Sequence, residues 1–147
     1  MFYEEEKYTK QSLLFYAARD VDIQTCEKIN ACIVRLAGEH RWLIGPPQFV
    51  NTADDAKAMA EGAPDATIGG VLQIYSALTG NLPRDFDVKS LQDVEKLVRA
   101  VQELSKKEDL EFEFELDGEF VGTIDAGELD QSLKIGLLEE WHRQIEN

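Results

Sequence analysis

A chain of 147 residues, 44% apolar and 30% charged, is long enough for one domain with a single core and lies well away from the disordered class. Fifteen basic against 29 acidic side chains leave a net charge of −14, which argues against nucleic acid or an anionic membrane as main partner and favours a basic one. No apolar run approaches the ~20 residues of a membrane-spanning helix, and the start MFYEEEKYTK has neither the basic nor the apolar part of a secretory signal, so a cytoplasmic protein is expected.

Along the chain, Ser12 to Ala18 (SLLFYAA) reads as a buried strand. Asp22 is placed to cap a helix over 23–37, whose Ile23, Cys26, Ile29, Ile33 and Leu36 recur at steps of three and four, with Gly38 at its end. Cys26 and Cys32 lie six apart, about 240° around that helix at ~100° per residue, so they cannot form a disulfide. Cys26 belongs to the apolar stripe, where cysteine acts as a small hydrophobe. Arg41 to Val50 is extended, and Pro46-Pro47 confine it to a sheet edge or break it.

Thr52, with Asp55, can cap a short helix over 53–61 that Gly62 ends. Thr67 to Leu78 reads as the next strand, with Gly69-Gly70 marking a bulge or a close backbone approach. The segment 79–87 is rich in turn formers. Ser90 with Asp93 then resembles a capping box for a helix carrying Leu91, Val94, Leu97, Val98, Val101 and Leu104.

Residues 108–130, EDLEFEFELDGEFVGTIDAGELD, hold ten carboxylates and no lysine or arginine, so this window supplies −10 of the net charge. Glu111, Glu113 and Glu115 alternate with Leu110, Phe112, Phe114 and Leu116, the pattern of a strand with one apolar and one anionic face. Asp117-Gly118 signals a hairpin turn. A three-residue loop over 116–118 pairs Phe114 with Phe120 and Leu110 with Ile124, gathering the aromatics on one face, and is preferred to a two-residue loop on that ground. It sets Glu115 opposite Glu119, and the expected partner-binding surface is Glu111, Glu113, Glu115 and Glu119. Asp125 and Glu128 resemble the cap of a final helix bearing Leu129, Leu133, Leu137, Trp141 and Ile145.

Together these elements predict a single α+β domain over 1–147. Its sheet is mainly antiparallel, of four to five strands, with helices packed on one face. The order is ferredoxin-like βαββαβ plus an extra strand and a C-terminal helix.

Chemistry is sparse. From Glu113, acids at positions 1, 3 and 5 with Gly118 at 6 resemble a calcium loop, but Ile124 stands where a bidentate glutamate is needed and the flanks are strands. The only histidines, His40 and His142, have no close cysteine or histidine, which gives a zinc site no support. Nucleophile-elbow and phosphate-loop motifs are missing. No cofactor or metal is expected. The leading expectation is a non-catalytic acidic interaction protein, adaptor or antidote, docking a basic partner. The alternative is a small enzyme or ligand-binding domain with a site assembled around Asp20, His40 and Trp42.

Overall fold

The computed structural model describes residues 8–52, 67–76 and 82–146. Among them, β1 (Lys10–Ala17), α1 (Ile23–Glu39), β2 (Gln48–Asn51), β3 (Ile68–Tyr75), α2 (Arg84–Glu108) and β4 (Glu111–Leu116) follow one another in βαββαβ order. Two further strands, β5 (Glu119–Asp125) and β6 (Glu128–Leu129), extend the sheet. A C-terminal helix, α3, is π-wound over Ser132–Glu139 and α-helical over Glu140–Glu146. The sheet has six strands in the order β2-β3-β1-β4-β5-β6, antiparallel at every pairing. Its first four strands have the ferredoxin-like arrangement, a split pair of βαβ units with β1 and β3 at the centre. The strand count exceeds the expected four to five because Ala126-Gly127, both at positive φ (50° and 85°), turn the chain back and add the two-residue β6.

The helices stand on one face. Leu13, Phe15, Leu72, Ile74, Phe112, Phe114 and Ile124 point toward them from the strands, and Ile29, Ile33, Val94, Leu97 and Val101 meet them from α1 and α2. Asp22 caps α1, its side chain accepting from the Thr25 N–H at 2.8 Å, and that bond holds its carboxyl below its ordinary value. The stripe of α1 is as expected except that Ile23 is exposed, Cys32 joins the core in mid-helix, and Gly38 lies inside the helix. Both cysteines are free and buried, and burial raises their thiol pKa values. Gly69-Gly70 is a close approach with no bulge. The β1–β3 ladder runs through it unbroken, and a Cβ on Gly70 would sit 2.7 Å from Ile33 Cδ1 and from Phe15 Cε1. The helix expected over 53–61 lies outside the described residues.

Three local expectations are corrected. First, α2 begins at Arg84, just after Pro83, with Asp85 and Asp87 in its first turn, where they complement the helix dipole. Ser90 and Asp93 are therefore buried two turns inside the helix and cap nothing.

Second, the β4–β5 loop has two residues. Asp117 (φ 51°) and Gly118 (φ 86°) form the left-handed pair of a type I′ turn, and Leu116 pairs with Glu119 and Glu115 with Phe120. A β-bulge follows, leaving Val121 unpaired, and the ladder resumes as Phe114–Gly122 and Phe112–Ile124. The bulge reverses the parity of β5, so Ile124 is buried on the core face although the loop is the shorter one. Phe120 lies before it and stays 55% exposed on the glutamate face.

Third, the cap of α3 is Asp130, whose side chain accepts from the Leu133 N–H at 2.9 Å. Asp125 and Glu128 face each other as the last pair of β5 and β6.

Candidate interaction face

The face of the sheet turned away from the helices is where the acidic window leaves its charge. Strand alternation buries Phe112 and Phe114 and leaves Glu111, Glu113 and Glu115 half-buried on the other side. The ladder registers then fix what stands beside each glutamate. In one cross-strand row Val71, Leu14, Glu115 and Phe120 are successive neighbours. In the next, Val50, Gly69, Tyr16, Glu113 and Thr123 follow one another. In a third, Glu111, Asp125 and Glu128 are directly opposed across three strands. Such like-charge pairs destabilise a sheet.

The surface thus differs from the one expected. Glu111, Glu113 and Glu115 share the face. Glu119 pairs with Leu116 and so leaves the row, because the two-residue turn sends it to the opposite side from Glu115. Asp125 and Glu128, read from the sequence as helix-capping acids, join the face instead. The signal that could have found them is Ala126-Gly127, a second short turn flanked by acids. None of these five carboxylates forms an ion pair with a described residue.

Tyr16 gives the face its geometry. Its hydroxyl donates to Glu115 Oε2 at 2.8 Å, and Glu113 stands directly across the strand pair. Burial, the bond to Glu115 and the two negative charges together push the phenol pKa well above its ordinary value. Glu115 keeps its second oxygen free of any described donor, and Gly69, on the other flank of Tyr16, contributes no side chain. Leu14, Val50 and Val71 supply a half-buried apolar strip beside the carboxylates. The hairpin is pinned to β1 by Asp117, whose side chain accepts from the Ser12 N–H at 2.8 Å while its own N–H donates to Ser12 O.

The alternative grouping of Asp20, His40 and Trp42 is only partly assembled. His40 and Trp42 meet edge to face, their rings 4.6 Å apart, and Trp42 Nε1 donates to Ala37 O. Asp20 is not with them: it precedes the N-terminus of α1 while His40 follows the C-terminus. The 17 residues between those ends span roughly 25 Å at ~1.5 Å per residue. Asp20 lines a shallow cleft with Arg19, Asp109, Glu111 and Asp125 instead.

The carboxylate facing His40 is Asp93. One oxygen lies 2.8 Å from His40 Nε2 and 3.0 Å from Lys89 Nζ, and the other accepts from the Leu43 N–H at 2.9 Å. Three nitrogens gathered on a carboxylate that is 1% exposed, with Lys89 Nζ also 3.0 Å from His40 Nε2, make a latch between the α1–β2 connection and α2. No hydroxyl or thiol is among its partners in the described residues.

A third feature lies under α3. A cleft of about 220 Å³ is bounded by Ile74, Tyr75, Leu116, Gly136, Leu137 and Trp141. That is smaller than the ~300 Å³ at which ligand pockets usually begin, and Trp141 Nε1 is committed to Asp87 at 2.7 Å. Among the described residues no cluster of histidine, cysteine and acids has metal-binding geometry, and no helix is long and apolar enough to cross a membrane. No protein-family model, curated protein or solved structure matches the chain.

Proposed function

We propose that this is a non-catalytic cytoplasmic interaction protein, of adaptor or antidote type, that docks a basic partner protein on the open face of its sheet. The observation that carries the reading is the row Glu111, Glu113, Glu115 with Asp125 and Glu128: five carboxylates on one face, beside an apolar strip, with no ion-pair partner among the described residues. A strand needs alternation to fold, and serine or threonine would serve as well as glutamate on the wet side. Carboxylates that repel one another there are best accounted for by a cationic surface that neutralises them. The net charge of −14 weighs against a nucleic-acid partner, and two free buried thiols suit a reducing compartment.

The test compares the full chain with its E111Q/E113Q/E115Q variant, each immobilised and exposed to native-host lysate at about 50 mM and about 500 mM salt. High-pI proteins should be retained by the wild type at low salt. They should be absent from the variant and from the high-salt arm. Indistinguishable profiles in all arms would sink the docking reading.

A further inference from the structure

We infer that the contact this face makes with its basic partner is centred on an arginine side chain, seated between the Phe120 ring and the Glu113–Tyr16–Glu115 cluster. The inference rests on the docking reading and adds the chemistry of the bound group. A bare anionic patch attracts lysine and arginine alike. This patch is not bare.

Glu115 is opposed across the β4–β5 ladder by Phe120, and this ring is 55% exposed. The two-residue turn creates that placement, and the β-bulge leaves it untouched. The bulge begins after Phe120, so Ile124 turns into the core while Phe120 stays out with the glutamates. On the other side of Glu115 in the same row lies Leu14, with Tyr16 two residues along β1. A carboxylate flanked by an open aromatic ring and an apolar strip suits a guanidinium. The guanidinium is weakly hydrated, stacks on aromatic faces, and presents parallel N–H donors to a carboxylate. An ammonium is a compact, strongly hydrated point charge and gains little from the ring.

The Tyr16 hydroxyl completes the arrangement. By donating to Glu115 Oε2 it fixes that carboxylate and leaves the second oxygen as acceptor, 2.8 Å being a well-formed bond. Glu113, directly opposite Tyr16, offers a further carboxylate on the same face. The guanidinium would then cover Phe120 with its plane while its donors reach Glu115 and Glu113. Aromatic residues paired with arginine are the side chains on which interface energy concentrates.

Two fluorescent peptides of equal length, spacing and charge, one carrying arginines and the other lysines, test this by anisotropy at low salt with the full-length protein. The arginine peptide should bind about tenfold more tightly. F120A, which truncates an exposed ring, and E115Q should each bring the two peptides to near parity, and F120W should keep the preference. E119Q removes the same charge from the same hairpin but on the opposite side, and should leave the ratio unchanged.

Equal, salt-sensitive binding of both peptides by the wild type would overturn the arginine assignment and leave the docking reading standing. An E119Q loss as large as that of E115Q would overturn the seat on this face. If neither peptide bound up to about 1 mM (an affinity of roughly 4 kcal/mol), both the inference and the docking reading would fall.

Discussion

Asp93, 1% exposed, accepts from Lys89 and the Leu43 N–H and lies 2.8 Å from His40 Nε2, so its removal strands more than one polar group. Asp93→Ala should cost roughly 2–4 kcal/mol in urea unfolding, because a buried charge-assisted network loses its acceptor. It should also loosen residues 40–47, read as faster amide exchange at Leu43.

Tyr16 is the other residue whose surroundings set a measurable. Its phenol is raised above the ordinary ~10 by burial and by Glu115 and Glu113. Below pH ~10 folded and unfolded chains both keep the proton. Above it the unfolded chain ionises first and so binds fewer protons, and stability falls as pH rises toward the folded-state value. Absorbance titration should show a late-ionising tyrosine component, and Tyr16→Phe should remove it and flatten the alkaline loss of stability. An alkaline titration left unchanged by Tyr16→Phe would refute the geometry drawn for it. Neither residue's role was legible in the sequence. Asp93 sits three after Ser90 and mimics a capping box, and only the earlier start of α2 puts it inside the helix, facing a loop some fifty residues away. What could be read was Pro83 followed by Asp85 and Asp87, a start signal of equal merit.

The hairpin shows why the middle scale is harder. Parity arguments assume an unbroken ladder, and on that assumption a two-residue turn forces Ile124 outward while a three-residue turn keeps it in. The chain takes the shorter turn, which Asp117-Gly118 favours locally, and recovers Ile124 by bulging at Val121. No sequence pattern forced that choice. The nearby glycine has its own reason: Gly122 faces α3, and a Cβ there would come within 2.5 Å of Leu133 Cβ and 2.7 Å of Leu133 N. Gly122→Ala should therefore push α3 off β5 and cost about 1–3 kcal/mol, as overpacking against backbone does. Limited proteolysis should then cut within 131–146 well before the β1–β3–β4 core opens. Equal protection of both would show that α3 adapts in place. By contrast α1, whose Asp22 cap and apolar stripe agree, could be read almost to the residue, because local capping and core burial point the same way there.

At the scale of the whole molecule the order of elements was legible, since alternating strands and helices with one apolar face each leave few ways to build a two-layer sandwich. The place of the charge was not, because it depends on the registers of three strands at once. Those registers put Glu111 against Asp125, and Asp125 against Glu128, with Glu113 one strand-alternation step from Glu111 at about 7 Å and Glu115 one further step from Glu113. Spacings below the ~8 Å Debye length of physiological salt are only partly screened, so the free protein carries this repulsion as a standing cost. The E111Q/E113Q/E115Q variant should accordingly be more stable than the wild type, melting about 2–4 °C higher in low salt. Added sodium chloride should raise the wild-type midpoint and move the variant much less, closing the gap as screening grows. The same three substitutions are expected to abolish capture of a basic partner, and gaining stability while losing binding is what separates a surface kept for recognition from one kept for folding. A variant that melted lower, with binding lost only through that weakening, would return these glutamates to a structural role.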